Sequence, residues 1–161
     1  MRILTCLDES GSPEIIGAAF RMPIRPGSVV DNLHAGGIAA SVDVETGELG
    51  WATNLGKDAR VGWLERHPLT GALIAGRRLQ WWPQARDLAL RGHRHFDDRL
   101  FIGWDIAITD RGPLIVEANG APDLDILQRA SRSGMCKGRF AELLAARVSH
   151  WGACGCPMVT S

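Results

Sequence analysis

The first half of the chain consists of short apolar runs punctuated by turn residues. "RILTCL" (2–7) and "EIIGAAFRM" (14–22) flank "DESGSP", and "GGIAASVDV" (36–44) and "LGWATN" (49–54) flank "ETG". Each set reads as two strands joined by a hairpin-type connection, because Gly, Pro, Asp and Ser supply the backbone geometry that tight turns need. Residues 55–82 show no sustained period, and "HPLTG" at 67–71 carries turn chemistry. Pro83 suits the first turn of a helix, which continues through "QARDLALRGHRHF" with Ala85, Leu88, Ala89 and Phe96 toward one side. Gly92 weakens that helix. "GRFAELLAARVSHW" (138–151) sets Phe140, Leu143, Leu144, Val148 and Trp151 in the rhythm of an amphipathic helix. Strands come first and helices alternate only loosely, so the pattern predicts an α+β fold, an antiparallel sheet backed by helices.

"LFIGWDIAITDRGPLIVEAN" (100–119) carries the chemistry. Two apolar runs are separated by Asp110-Arg111-Gly112, and Gly112 suits the left-handed position that closes a three-residue hairpin loop. Such a loop pairs Thr109 with Pro113 and sets Asp105 opposite Glu117. Leu114, Ile115, Val116 and Ala118 read as a buried strand, so Glu117 needs compensation on the order of several kcal/mol. Alternation places Asn119 on the same face as Glu117. Opposed carboxylates, with Cβ atoms about 4.5–5.5 Å apart, require a proton or a cation. Oxygen donors without nearby Cys or His suit Mg²⁺, Mn²⁺ or Ca²⁺ rather than zinc. The same residues also fit an edge strand with solvated acids, and a one-residue slip of register would separate them.

A chain of 161 residues makes one domain with a real core. Lys plus Arg (18) balance Asp plus Glu (18), which argues against a nucleic-acid partner. The N-terminus lacks a signal-type apolar segment and no 18-residue apolar run follows, so the expected location is cytoplasmic, with no membrane partner. Of the cysteines, Cys154 and Cys156 form a C-x-C pair, a weak metal signal without a second spaced pair.

"GWDIAITDRGPLIVEANGAPDLD" resembles the metal-binding segment of ATP-grasp ligases, in which an Asp on one strand precedes a Glu-x-Asn on the next. "VVDNLHAGGIAASVD" (29–43) and "RILTC" with Arg21 downstream are similar to segments of the ribosomal-protein glutamate ligase branch. The chain as a whole, including "HPLTGALIAG" (67–76), is most similar to the sugar-transfer-associated ATP-grasp group, over roughly residues 2 to 130. The resemblance implies a C-terminal ATP-grasp subdomain over residues 1–151, and the tail at 152–161, with "CGCPMVTS", reads from its own residues as frayed and flexible. The resemblance also implies that the N-terminal nucleotide-binding half, which normally supplies phosphate-binding lysines, is absent; neither Lys57 nor Lys137 lies in a matching motif.

What the resemblance implies for function is ATP-dependent carboxylate–amine or carboxylate–thiol ligation through an acyl phosphate, with ATP and Mg²⁺ (or Mn²⁺) as cofactors. The partners are then a small-molecule carboxylate, a nucleophile such as an amine, and a separate N-terminal half. The group's name associates it with polysaccharide or cell-surface biosynthesis. Asp105, Glu117 and Asn119 become metal ligands, and Arg2 and Arg21 become catalytic groups gripping phosphate or substrate carboxylate. Asn32, His34, Gly36, Gly37 and Gln128 become cofactor-binding candidates; the glycine-rich stretch reads equally as an ordinary turn. His67 is a further candidate contact, and Trp81 with Trp82 form either a stacking wall or core. The alternative is a catalytically incomplete divalent-cation or nucleotide-binding module, or a half-enzyme that needs its partner.

Overall fold

Antiparallel pairing, strand after strand, assembles one six-stranded sheet. The computed structural model describes residues 1–24, 37–54 and 62–153, with backbone alone for 150–153. The strands are β1 (Arg2–Leu7), β2 (Pro13–Met22), β3 (Ile38–Val42), β4 (Leu49–Asn54), β5 (Phe101–Thr109) and β6 (Gly112–Asn119). The helices are α1 (Trp82–His93), α2 (Asp125–Ser131) and α3 (Arg139–Ala153). Strand order is β4-β3-β2-β1-β5-β6, so β1 lies inside the sheet and β6 forms an edge. The expected α+β sheet backed by helices is what forms.

Both predicted hairpins are present. Asp8 closes the first by accepting from the backbone N–H groups of Ser10 and Ser12 at 2.8 and 2.9 Å. Asp43 closes the second by accepting from Glu45, Thr46 and the Thr46 hydroxyl. Because Asp43 turns to this role, β3 ends at Val42 rather than at residue 44.

The two faces of the sheet bury different cores. One packs Ile3, Ile38, Ala40, Val42, Ala52, Trp104 and Ile106 against Trp82, Ala85 and Ala89 of α1. The other packs Leu4, Cys6, Ala19 and Ala39 against α2 and α3 through Ile126, Leu127, Phe140 and Leu143. Burial raises the Cys6 thiol to about 11, helped by the Glu14 charge, which leaves it unreactive.

Several helical expectations need correction. α1 ends at His93, so Phe96 lies beyond it and is exposed, tilted against Trp104. Gly92 has a packing reason: a Cβ there would come within 2.8–3.3 Å of the Trp104 ring, so only glycine lets the helix lie so close. Val148 is exposed because the buried side chains of α3 come from its first turns. α2 was not expected at all; seven residues are too few to show a period.

Beneath α1, three polar side chains satisfy one another. Trp104 Nε1–H donates to Thr5 Oγ1 at 2.8 Å, and Thr5 Oγ1 lies 2.7 Å from His93 Nδ1. His93 Nε2 meets the Arg99 carbonyl at 2.9 Å. The carbonyl can only accept, so Nε2 carries the proton and Nδ1 accepts from Thr5. His93 is completely buried, and desolvation holds its pKa below the ordinary imidazole value. The unfolded chain therefore binds this proton at about pH 6.5 while the folded chain does so only at lower pH. The contribution of neutral His93 is complete above pH 6.5 and is lost as pH falls from there through the folded value. Urea midpoints are expected to drop between pH 7.5 and 5, and His93→Gln should flatten that window. An unchanged wild-type profile would contradict the assignment.

Candidate metal and phosphate site

Asp105, in the middle of β5, is flanked by β1 on one side and β6 on the other. It pairs with Arg2 across β1 and with Glu117 across β6. Residues opposite each other in a sheet share a face, so Arg2, Asp105 and Glu117 project to the same side. Arg21 joins them because Arg2 pairs with Ala19, two residues before it in β2. This is the side covered farther along by α2 and α3.

Arg2 grips Asp105 with two donors, Nε to Oδ1 at 2.7 Å and Nη2 to Oδ2 at 3.1 Å. Arg21 Nη2 approaches the same Oδ1 at 3.5 Å. The three side chains are only 11%, 17% and 15% exposed for Arg2, Arg21 and Asp105, so solvent screens them weakly. Each arginine stands opposite a small residue, Arg2 at Ala19 and Arg21 at Ala39. Gly103, two residues before Asp105, contributes in another way. A Cβ there would collide with Pro122, so the β6–α2 connection can lie directly on the sheet.

The predicted pairing of Asp105 with Glu117 holds, but not for the expected reason. The turn has two residues, Asp110 and Arg111, and Thr109 pairs with Gly112 rather than Pro113. Gly112 does have the positive φ expected of it, 116°. A register shift between Asp105 and Ile106 restores the missing residue: Ile106 faces Ile115, yet Asp105 faces Glu117, leaving Val116 as the extra member of a bulge.

The supposed burial of Glu117 is overturned. β6 is an edge strand, with Leu114 60% and Val116 66% exposed, and Glu117 is exposed as well. Its carboxylate is not an orphan in the core. Asn119 Nδ2 donates to Glu117 Oε1 at 3.1 Å.

The donor chemistry fits a hard divalent cation. Glu117 Oε2 and Asn119 Oδ1 remain as oxygen acceptors, and Asp105 Oδ2 keeps a second lone pair beyond its arginine bond, whereas Oδ1 already faces both Arg2 and Arg21. Among the described residues no three His, Cys, Asp or Glu side chains gather into a metal-binding group, so a cation here would draw on Asn119 and on ligand oxygens.

The remaining candidates divide. Asn32, His34 and Gly36 lie outside the described residues, as do Cys154 and Cys156; Gly37 is buried just before β3. Gln128 Oε1 accepts from the Met135 N–H at 3.1 Å, which commits that oxygen to the turn after α2. His67 Nδ1 accepts from the Leu69 N–H at 3.3 Å and Nε2 meets the Pro23 carbonyl at 3.0 Å, tying its loop to the end of β2. Trp82 is core, its indole donating to the Val44 carbonyl at 3.2 Å. The convergence of both arginines on Asp105 was missed; the only signal for it is the placement of β1 between β2 and β5.

The six-stranded antiparallel sheet with its three helices is the α+β architecture of an ATP-grasp type of subdomain. The chain belongs to the sugar-transfer associated ATP-grasp family, whose model matches residues 1–141. Membership supports an ATP-dependent, ligase-like function in general. Among curated proteins none matches significantly. No helix among the described residues is long and apolar enough to cross a membrane.

Arg2 and Glu117 should separate cleanly in stability. Arg2→Ala leaves a largely buried carboxylate with one longer contact, and is expected to cost about 2–3 kcal/mol in urea unfolding. Glu117→Gln, on an exposed edge, should stay within about 0.5 kcal/mol of wild type. Equal losses in the two variants would contradict this picture of the cluster.

Proposed function

We propose that this chain forms the metal- and phosphate-facing wall of an ATP-dependent carboxylate ligase. The observation that carries the reading is the single patch formed by Asp105, Glu117, Asn119, Arg2 and Arg21, drawn from four strands. Glu117, Asn119 and Asp105 would hold Mg²⁺ (or Mn²⁺) against ATP. When bound, the cation neutralises phosphate charge and holds the triphosphate in one orientation.

The chemistry of such a ligase is a two-step exchange. A carboxylate oxygen of the substrate attacks the γ-phosphorus and the bond to ADP breaks, giving an acyl phosphate. An amine nitrogen then attacks the carbonyl carbon, the bond to phosphate breaks, and the nitrogen loses a proton; a thiol would follow the same course through sulfur. Arg2 and Arg21 supply guanidinium donors beside the anion in both steps, where positioned positive charge is worth most. Because positioning and electrostatics dominate phosphoryl transfer, the patch needs no dedicated general base for its first step.

A half-enzyme reading is supported by a separate observation. Leu114 and Val116 stand exposed beside Glu117, a fit for a second subdomain, on this chain or another, closing over the nucleotide. The intracellular setting and the role in polysaccharide or cell-surface synthesis belong to the same proposal. Calorimetric titration with Mg²⁺–ATP is expected to give saturable binding that Glu117→Gln weakens at least tenfold without unfolding the protein. Equal affinity in the two proteins would refute the metal assignment. Binding that appears only after a nucleotide-binding subdomain is added would select the half-enzyme.

A further inference from the structure

One strand displays an indole among inward-facing residues. In β4, Leu49, Ala52 and Thr53 are buried, whereas Trp51 is 48% exposed. Trp51 lines a cleft of about 540 Å³ together with Ser41 of β3, Trp63, and Ala130, Ser131 and Arg132 at the end of α2. A volume of that order matches small-molecule sites. The residues come from four places along the chain, β3, β4, Trp63 and the end of α2, and none belongs to the Asp105 cluster.

Two details mark the cleft as built rather than incidental. Arg132 has φ 57°, and among the described residues it is the one non-glycine with a positive φ. It caps α2, a position that usually falls to glycine because an L side chain crowds the backbone there. The arginine is kept nonetheless, and its guanidinium carbon lies 3.8 Å from the centroid of the Trp63 ring. The second detail is Gly50, beside Trp51. A Cβ at Gly50 would collide with Ser41 Oγ, so glycine is what leaves the Ser41 hydroxyl its place in the cleft wall.

The chemistry of the lining selects the ligand. Arg132 already covers one face of Trp63, so the cleft offers the open indole of Trp51 rather than a two-sided slot. A nucleobase gains most from such a slot. A neighbouring depression shares Ser41 and Ser131 and adds Asp43 and Glu48; Glu48 pairs with Arg78 at 3.7 Å, which leaves the Asp43 carboxylate to disfavour a phosphate or carboxylate tail on that side. A purely apolar ligand would leave Ser41 and Arg132 without partners. A pyranose ring suits all of these: it lays a C–H face on an indole and carries hydroxyls that both donate and accept around its rim. We infer that the Trp51–Trp63–Arg132 cleft binds an uncharged saccharide ring, stacked on Trp51 with its hydroxyls meeting Arg132 and Ser41. The inference does not rest on nucleotide binding at Asp105.

The test uses the full chain with three neutral probes, maltose, cellobiose and N,N′-diacetylchitobiose, followed by saturation-transfer NMR and tryptophan fluorescence. At least one probe should bind saturably, with at least tenfold weaker binding in Trp51→Ala and in Arg132→Gly. Arg132→Gly is the discriminating variant. Glycine suits the left-handed backbone, so its melting temperature should hold or rise while saccharide binding falls, and a general loss of fold cannot mimic that combination. The inference is overturned if wild type saturates with none of the three. It is equally overturned if Arg132→Gly binds as wild type does, or if adenosine displaces the sugar from this cleft at equal concentration.

Discussion

One extra residue in β6 decides which side of the sheet its carboxylate and amide reach. From the turn inward, Thr109 faces Gly112 and Ile106 faces Ile115. Continued unbroken, that register would set Glu117 beside Trp104 and point it toward the α1 core. The bulge at Val116 advances β6 by one position, so Glu117 meets Asp105 and Asn119 meets Gly103. Such a bulge forfeits regular ladder bonding, which an edge strand tolerates better than a central one, and it also blunts the edge against pairing with other chains.

With that register set, the rest of the patch follows from strand order. β1 lies between β2 and β5, which brings Arg2 against Asp105 and Arg21 within reach of the same oxygen. The cluster is thus cationic and anionic at once: two guanidiniums on one flank of Asp105, Glu117 with Asn119 on the other. That arrangement suits a ligand that is itself divided, a phosphate oxygen toward the arginines and a cation toward the acids. α2 and α3 occupy the same face farther along, and the collision that a Cβ at Gly103 would cause with Pro122 shows how tightly the connection to α2 descends beside the patch.

Much of this was legible in the sequence, for unequal reasons. The hairpins could be read because Asp8 and Asp43 close their turns with local hydrogen bonds that need no tertiary context. The partnership of Asp105 and Glu117 was read through two departures that cancel, a turn one residue shorter than expected and a bulge that returns the residue. The burial of Glu117 was misread because apolar content alone does not reveal that a strand lies at an edge. The clamp of Arg2 on Asp105 spans 103 positions of sequence, and no local pattern encodes it. The Trp51 cleft was hidden for the same reason, since it exists only where β3, β4, Trp63 and the end of α2 meet.

The proposed hold of Asp105, Glu117 and Asn119 on a divalent cation is tested by paramagnetic broadening of the backbone amide spectrum with substoichiometric Mn²⁺ in the presence of ATP. Selective loss of signals around Asp105, Glu117 and Asn119 is expected, reversed by excess Mg²⁺, with the Trp51 cleft unaffected. Broadening centred on Asp43 and Glu48, or spread over the acidic surface without a focus, would contradict it.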